Sequence, residues 1–164
     1  MERKLASIQR VAEVNPIAGA EKIELARILG WSVVIKKSEY KPGDLCVYVE
    51  IDSILPDKPV FAFLKDRGFR IKTIKLRGQI SQGIAFPLSI LPAGTAAEEG
   101  LDVTDLIGVT KHLLKIPAQL QGEVKGDFPS FIPKTDEQRI QSAPGVLERH
   151  RNRMFYVTEK VDGS

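Results

Sequence analysis

The chain has 164 residues, 43% hydrophobic and 27% charged, enough for one domain or for one domain and the opening of another, and its composition excludes global disorder. A net charge of +3 is mildly basic, which admits a polyanionic partner without requiring one. Its single cysteine, Cys46, excludes an intrachain disulfide and favours a reducing compartment, while the lack of a signal-peptide pattern or of a run of about 18 apolar residues points away from secretion and membranes and towards the cytoplasm.

The first hundred residues read as short strands. Lys4–Val14, Lys22–Leu29 and Trp31–Lys37 are rich in Ile, Val and Leu, and are separated by Pro16-Ile17-Ala18-Gly19 and by Gly30. Lys41-Pro42-Gly43-Asp44 is a turn, with proline presetting φ and glycine accepting positive φ. Leu45, Val47, Val49 and Ile51 then alternate with Cys46, Tyr48, Glu50 and Asp52, the period-two pattern of a half-buried strand. Cys46 within it reads as a small core residue rather than a nucleophile. After Pro56 and Pro59 a short helix is expected over Phe61–Gly68, and Phe69–Leu76 and Ile80–Phe86 flank Gly78 as a strand pair. Roughly five or six short strands in about ninety residues suit a small closed barrel, which leaves no sheet edge exposed. An OB-fold is the first expectation and an SH3-like barrel the second.

Residues 87–125, interrupted by Pro87, Pro92, Gly94, Gly100, Gly108, Pro117 and Gly122, read as a barrel periphery passing into a linker. His112 and His150 lack the Cys/His spacing of a zinc site. Arg67, Arg70, Lys72, Lys75 and Arg77 crowd one stretch. On a regular strand Arg70 and Lys72 share one face and Lys75 and Arg77 the other, so a bulge near Thr73 is needed if all four are to grip one backbone. Arg149, Arg151 and Arg153 form a second cluster. Singly each is a solvated surface charge; as a set they suit phosphate contacts. Trp31, Tyr40 and Tyr48 are the aromatic candidates for base stacking.

Composition shifts at Asp127. Phe128-Pro129-Ser130-Phe131-Ile132-Pro133-Lys134 is too proline-rich for a central strand. Thr135-Asp136-Glu137-Gln138 then matches a capping box opening a helix to about Gln141, before Pro144-Gly145. The β-prone run Met154-Phe155-Tyr156-Val157-Thr158 leads into Glu159 and Lys160-Val161-Asp162-Gly163. That last string fits K-x-D-G, the first motif of the lysine-dependent nucleotidyltransferases: DNA ligases, RNA ligases and capping enzymes. Such a lysine must attack the α-phosphate of ATP as a neutral amine, so its site must favour loss of the proton by desolvation or by nearby positive charge. Asp162, two residues on, projects to the same side if the strand continues, where it suits a hydrated metal or the ribose. Gly163 allows close backbone approach. Four residues alone also describe a strand running into an Asp-Gly turn.

The surrounding sequence resembles the fifth family of ATP-dependent RNA ligases, which place an OB domain ahead of the nucleotidyltransferase domain. The matching pieces, in the family's order, are Asn15 to Ala26, Gly30 to Val34, Lys41 to Pro56, Leu76 to Gly83, Phe131 to Ile140 and Thr158 to Ser164. DNA ligases and capping enzymes usually carry the OB domain after the catalytic one. The resemblance implies a mainly β protein: an OB-fold barrel over residues 1–115, a linker over 116–126, and the beginning of an α+β nucleotidyltransferase domain over 127–164. It implies Lys160 as the adenylated nucleophile, with Thr158, Glu159 and Val161 lining the adenine pocket. Asp162 and Gly163 would position nucleotide and metal hydrate, and Arg139 would face the ATP phosphates. ATP with Mg2+ (or Mn2+) is the implied cofactor set. RNA with nicked or broken strands is the implied partner, its 3′-OH and 5′-phosphate ends joined in RNA repair. Because the chain stops at Ser164 while the family continues with further motifs, the expectation is a piece of such a ligase, inactive alone. The competing reading is a stand-alone OB nucleic-acid-binding module, since Pro16 to Ile23 is also similar to tRNA-binding barrels.

Overall fold

The computed structural model describes residues 3–113 and 138–159. Among them the strands are β1 (Ala6–Pro16), β2 (Ile23–Ile28), β3 (Trp31–Lys36), β4 (Leu45–Val49), β5 (Ser53–Ile54), β6 (Ile74–Leu76), β7 (Gln79–Ser81), β8 (Ile84–Phe86) and β9 (Thr110–Lys111). A five-stranded sheet in the order β3-β2-β1-β4-β8 forms the body. All of its pairings are antiparallel.

The long strand β1 makes this topology possible by serving two neighbours. Its first half pairs with β4, from Ala6↔Val49 to Arg10↔Leu45. Its second half pairs with β2, and a register shift between Val11 and Glu13 marks the change of partner. A bulge adds local twist and bends a strand, which a small barrel needs at its corners. The gap beside β3 is bridged by the chain just ahead of β8, where the Gln82 amide donates to Ser32 O (2.8 Å) and the Val34 amide to Ser81 Oγ of β7 (2.9 Å). The barrel is nearly closed.

β4 departs from the half-buried expectation because both its faces are covered. Cys46 and Tyr48 pack inside the barrel with Val11, Ala26, Ile28, Trp31, Val33, Ile35 and Tyr40. Val47 and Val49 face a second core with Leu55, Phe61, Leu64, Phe86, Val103 and Ile107. That second core is covered by the 3-10 helix Pro59–Arg67 and by α1 (Thr104–Ile107), so residues beyond 87 do more than skirt the barrel. Phe61 meets Phe86 edge-on, with ring centroids 5.2 Å apart. Cys46 is a core residue, its thiol pushed up to about 12 by burial, as expected of a non-nucleophile.

The expected strand pair around Gly78 is shorter than its sequence suggested. β6 and β7 form a hairpin whose two turn residues, Arg77 (φ 47°) and Gly78 (φ 81°), both lie in the left-handed region that two-residue hairpins demand. Gly83 then breaks the run before β8. A Cβ there would stand 2.4 Å from the Tyr48 ring. Residues 70–73 are not regular strand apart from a bridge between Arg70 and Ile54, so the face-sharing expected of Arg70 and Lys72 does not arise.

Several expectations fall outside the described residues: the 116–126 linker, the run Phe128 to Lys134, the capping residue Thr135, and Lys160, Val161, Asp162 and Gly163. Of the helix expected up to Gln141, the described part is one 3-10 turn, Ile140–Ser142. A second short helix, α2 (Val146–Arg149), follows. Met154–Thr158 is in no strand among the described residues, because β-prone residues make a strand only beside a hydrogen-bonding neighbour.

Candidate functional site

At one end of β3 and β4 the chain brings together polar groups from several separate stretches of sequence. β4 ends by delivering Glu50, buried, and two residues later Asp52. Asp52 is held in the left-handed region (φ 66°), which aspartate tolerates better than most side chains. Its amide donates to Ile71 O (2.9 Å) and its carbonyl accepts from the His112 amide (2.8 Å), so the residue is fixed on both sides. β3 begins with Trp31. Arg3, Arg70 and the segment 138–143 supply the rest.

This segment docks through a chain of polar contacts. The Gly30 amide donates to Gln141 O (2.8 Å), and a Cβ on Gly30 would come within 2.9 Å of the Gln141 backbone, so only glycine permits the approach. Trp31 Nε1 donates to Ser142 Oγ (2.9 Å). The Ser142 hydroxyl in turn donates to Glu50 Oε1. The other oxygen of Glu50 accepts from Arg3 Nε (2.7 Å), an ion pair whose side chains are only 5% and 7% exposed. Gln138 donates forward to Ser142 O (2.8 Å), while its expected contact with Thr135 lies outside the described residues.

Two arginines converge on Asp52. Arg70 Nη2 reaches Oδ1 at 3.1 Å and Arg139 Nη2 reaches Oδ2 at 3.0 Å. Burial pushes the Asp52 carboxyl up, but the hydrogen bonds and positive charges of Arg70 and Arg139 outweigh it and hold the group below its ordinary value. The Arg139 guanidinium also lies over the Trp31 ring, its carbon 5.8 Å from the centroid. Arg139 Nη1 and Arg70 Nε are buried without a hydrogen-bond partner among the described residues.

The remaining candidates distribute unevenly. Arg70 is occupied by Asp52, whereas Lys72, Lys75 and Arg77 are exposed around the β6–β7 hairpin. Arg149, Arg151 and Arg153 are exposed, with Arg151 paired to Glu148 at 2.9 Å. Thr158 and Glu159 are exposed and in no strand. Trp31, Tyr40 and Tyr48 do not offer stacking faces to a ligand, being 2%, 7% and 1% exposed. Burial also pushes the Tyr40 and Tyr48 hydroxyls well up, with nearby carboxylates adding to the effect. Phe63, 63% accessible, is an exposed ring of the barrel region, in an apolar groove of about 700 Å³ lined by Val34, Lys36, Leu76 and Ile84 among others; Phe155 and Tyr156, near the other end of the described residues, are exposed too. Sequence reasoning passed over Phe63 because it sits in a stretch read only as a helix. It passed over Asp52 because the acid lay within an apparently alternating strand. The available signal was two acids closing a strongly apolar run.

Residues 5–88 match an OB-fold domain family. Among solved structures the chain is similar to an RNA ligase of Naegleria gruberi. A variant with AMP and Mn is 43% identical over 90% of this chain and 47% of that one, with a TM-score of 0.75. A lysine-to-alanine variant with ATP and Mn is 42% identical over 90% and 47%, also at 0.75. An aspartate-to-alanine variant without ligand, changed two positions after that lysine, is 43% identical over 90% and 46%, again at 0.75. The chain spans about half the length of these structures. No curated protein matches it.

Proposed function

This chain belongs to the ATP-dependent RNA ligases that carry an OB-fold domain, and from that premise we propose that its protein joins the 3′-OH and 5′-phosphate ends of nicked or broken RNA. In this reading the neutral amine of Lys160 attacks the α-phosphate of ATP; a nitrogen–phosphorus bond forms and pyrophosphate leaves. AMP then passes from the lysine to the RNA 5′-phosphate, and the 3′-OH displaces it as the strands join. The observation that carries the reading is the 43% identity over 90% of the chain, together with the lysine and aspartate substituted two positions apart in the neighbours, the spacing of Lys160 and Asp162.

Thr158, Glu159 and Val161 are assigned to the adenine pocket, Asp162 and Gly163 to the nucleotide, and Arg139 to the ATP phosphates. Among the described residues no group of three His, Cys, Asp or Glu side chains could hold a metal. Asp162, a hard oxygen donor, is assigned to Mg2+ or Mn2+ through water. A bound divalent ion offsets the charge developing on the phosphates. Lys72, Lys75, Arg77, Arg149, Arg151 and Arg153 are assigned to RNA phosphates, with Phe63 a stacking surface between strands and hairpin. Arg70 is the weakest of the proposed RNA contacts, since Asp52 already holds it. We assign the protein to the cytoplasm, which suits its single buried thiol; no described helix is long and apolar enough to cross a membrane.

The test is covalent labelling. The full-length protein, incubated with Mg2+ and ATP labelled at the α-phosphate, is expected to retain label through denaturation, and Lys160→Ala to retain none. Label persisting on the variant removes Lys160 from the chemistry.

A further inference from the structure

We infer that the apolar groove around Phe63 holds an unpaired nucleotide, so that the preferred RNA carries a single-stranded flank beside its break. This rests on the ligase reading above and deepens it, by naming the form of RNA that the outer face of the barrel takes.

Val34 and Lys36 lie on the outer face of β3, since Val33 and Ile35 fill the barrel. Val60 and Phe63 of the 3-10 helix and Leu76 of the β6–β7 hairpin complete the walls. Phe63 leans on Phe86, with ring centroids 6.2 Å apart, and Phe86 is held in turn by Phe61. The ring is seated on one side while most of its surface faces solvent. A volume of about 700 Å³ falls in the range of pockets that hold small organic molecules. A paired base is stacked above and below and has no face to offer such a groove; an unpaired base has one. Along β3 the groove lies roughly 17 Å from Trp31, at ~3.3 Å per residue, which is about five stacked nucleotides at ~3.4 Å each.

Charge selects RNA over an apolar peptide as the occupant. From Arg67 to Ala97 the sequence carries Arg67, Arg70, Lys72, Lys75 and Arg77 and not one Asp or Glu. That stretch supplies the hairpin, β8 and residues 87–90, and so one side of the groove. Arg70 is held by Asp52, and Lys75 lies on the hairpin face opposite Leu76. Arg77 follows Leu76 at the hairpin tip. Its φ of 47° is a conformation that asparagine or glycine adopts at lower cost, and such strain clusters where a side chain is used. Lys36 supplies a cation from the other side. The acid in the lining, Glu39, has its carboxylate engaged by the Lys36 amide at 3.0 Å. An apolar floor between Lys36 and Arg77 matches a base flanked by its own phosphates.

The full-length protein is titrated with two RNA duplexes broken at the same place and equal in phosphates. One is fully paired; in the other about six nucleotides beside the break are unpaired, enough to span the distance along β3. The unpaired flank is expected to tighten binding roughly tenfold, the scale of one base stacked on an aromatic ring. That preference should persist as salt rises, while both affinities fall together. Phe63→Ala is expected to erase the preference and Phe63→Trp to keep it, with melting temperatures checking that each variant folds. Should Phe63→Ala not fold, Phe63→Leu decides, because it keeps an apolar contact with Phe86 but offers no ring. A flank of abasic nucleotides is expected to bind no better than the paired RNA. No preference in the unaltered protein, a preference that survives loss of the ring, or an abasic flank bound as well as a natural one overturns the inference. Absence of preference together with a changed oligomeric state in Phe63→Ala assigns the groove to a second copy of the chain. Lys160 labelling, which needs no RNA, judges the ligase reading separately. Labelling lost in Lys160→Ala, with no flank preference, sinks the groove alone; labelling that persists in Lys160→Ala sinks the ligase reading.

Discussion

The sheet strands and the segment that docks on them are held by different forces. β1, β2, β3 and β4 meet through side chains such as Ile8, Val11, Ile28, Val33 and Val47, each with no exposed surface. Residues 138–143 instead reach the barrel through Gln141 O, Ser142 Oγ and the Arg139 guanidinium, while Ile140 in the same segment is 49% exposed. Apolar burial is non-directional and scales with area; hydrogen bonds and ion pairs depend on geometry and protonation. The docked segment can therefore be loosened, or its aim altered, without dismantling the sheet.

The largest effect should come from the sheet side of this contrast. Phe61 fills the second core and meets Phe86 edge-on, so Phe61→Ala is expected to lower global stability by about 3–5 kcal/mol, read as a lower urea midpoint. A smaller effect, confined to the segment, is expected of Ser142→Ala. It leaves the Trp31 indole N–H and one Glu50 oxygen buried without their partner, at a cost of about 1–2 kcal/mol. Trp31 is the only tryptophan, so its fluorescence should report undocking while the circular dichroism of the sheet stays unchanged. A midpoint shift as large as that of Phe61→Ala would erase the distinction between the two regions.

The smallest effect is a dependence on pH. The Asp52 carboxyl is held below its ordinary value of 3.8, so its ion pairs contribute fully above that pH. The contribution is lost as pH falls through the lower folded-state value. Trp31 fluorescence should therefore change on acidification below about 3.8, before the sheet signal does, and Asp52→Asn should remove that early phase. An early phase that survives the substitution would place the titrating group elsewhere.

Much of the sheet was legible in the sequence because its signals are local. Runs rich in Ile and Val between turn residues gave β1, β2 and β3 to within a few residues. What stayed hidden depended on partners distant in the chain. Tyr48 and Trp31 look like stacking rings until Tyr48 is found inside the barrel and the docked segment is found tied to Trp31. Arg70 looks like a free cation until Asp52, 18 positions earlier, is found beside it. The K-x-D-G string was legible as chemistry, since that pattern rests on side-chain types and spacing alone. The Asp52–Arg139 contact spans 87 positions, and no periodicity could announce it.

The double allegiance of β4 also bears on how the molecule assembles. Alternate residues of that one strand complete two separate apolar clusters, so sliding it by one position would send Val47 where Tyr48 belongs and spoil both together. Neither cluster can mature ahead of the other. Amides on both sides of the strand should exchange with solvent in a single cooperative opening. New chain termini should be tolerated in the exposed turn around Gly94, but never within Leu45–Val49.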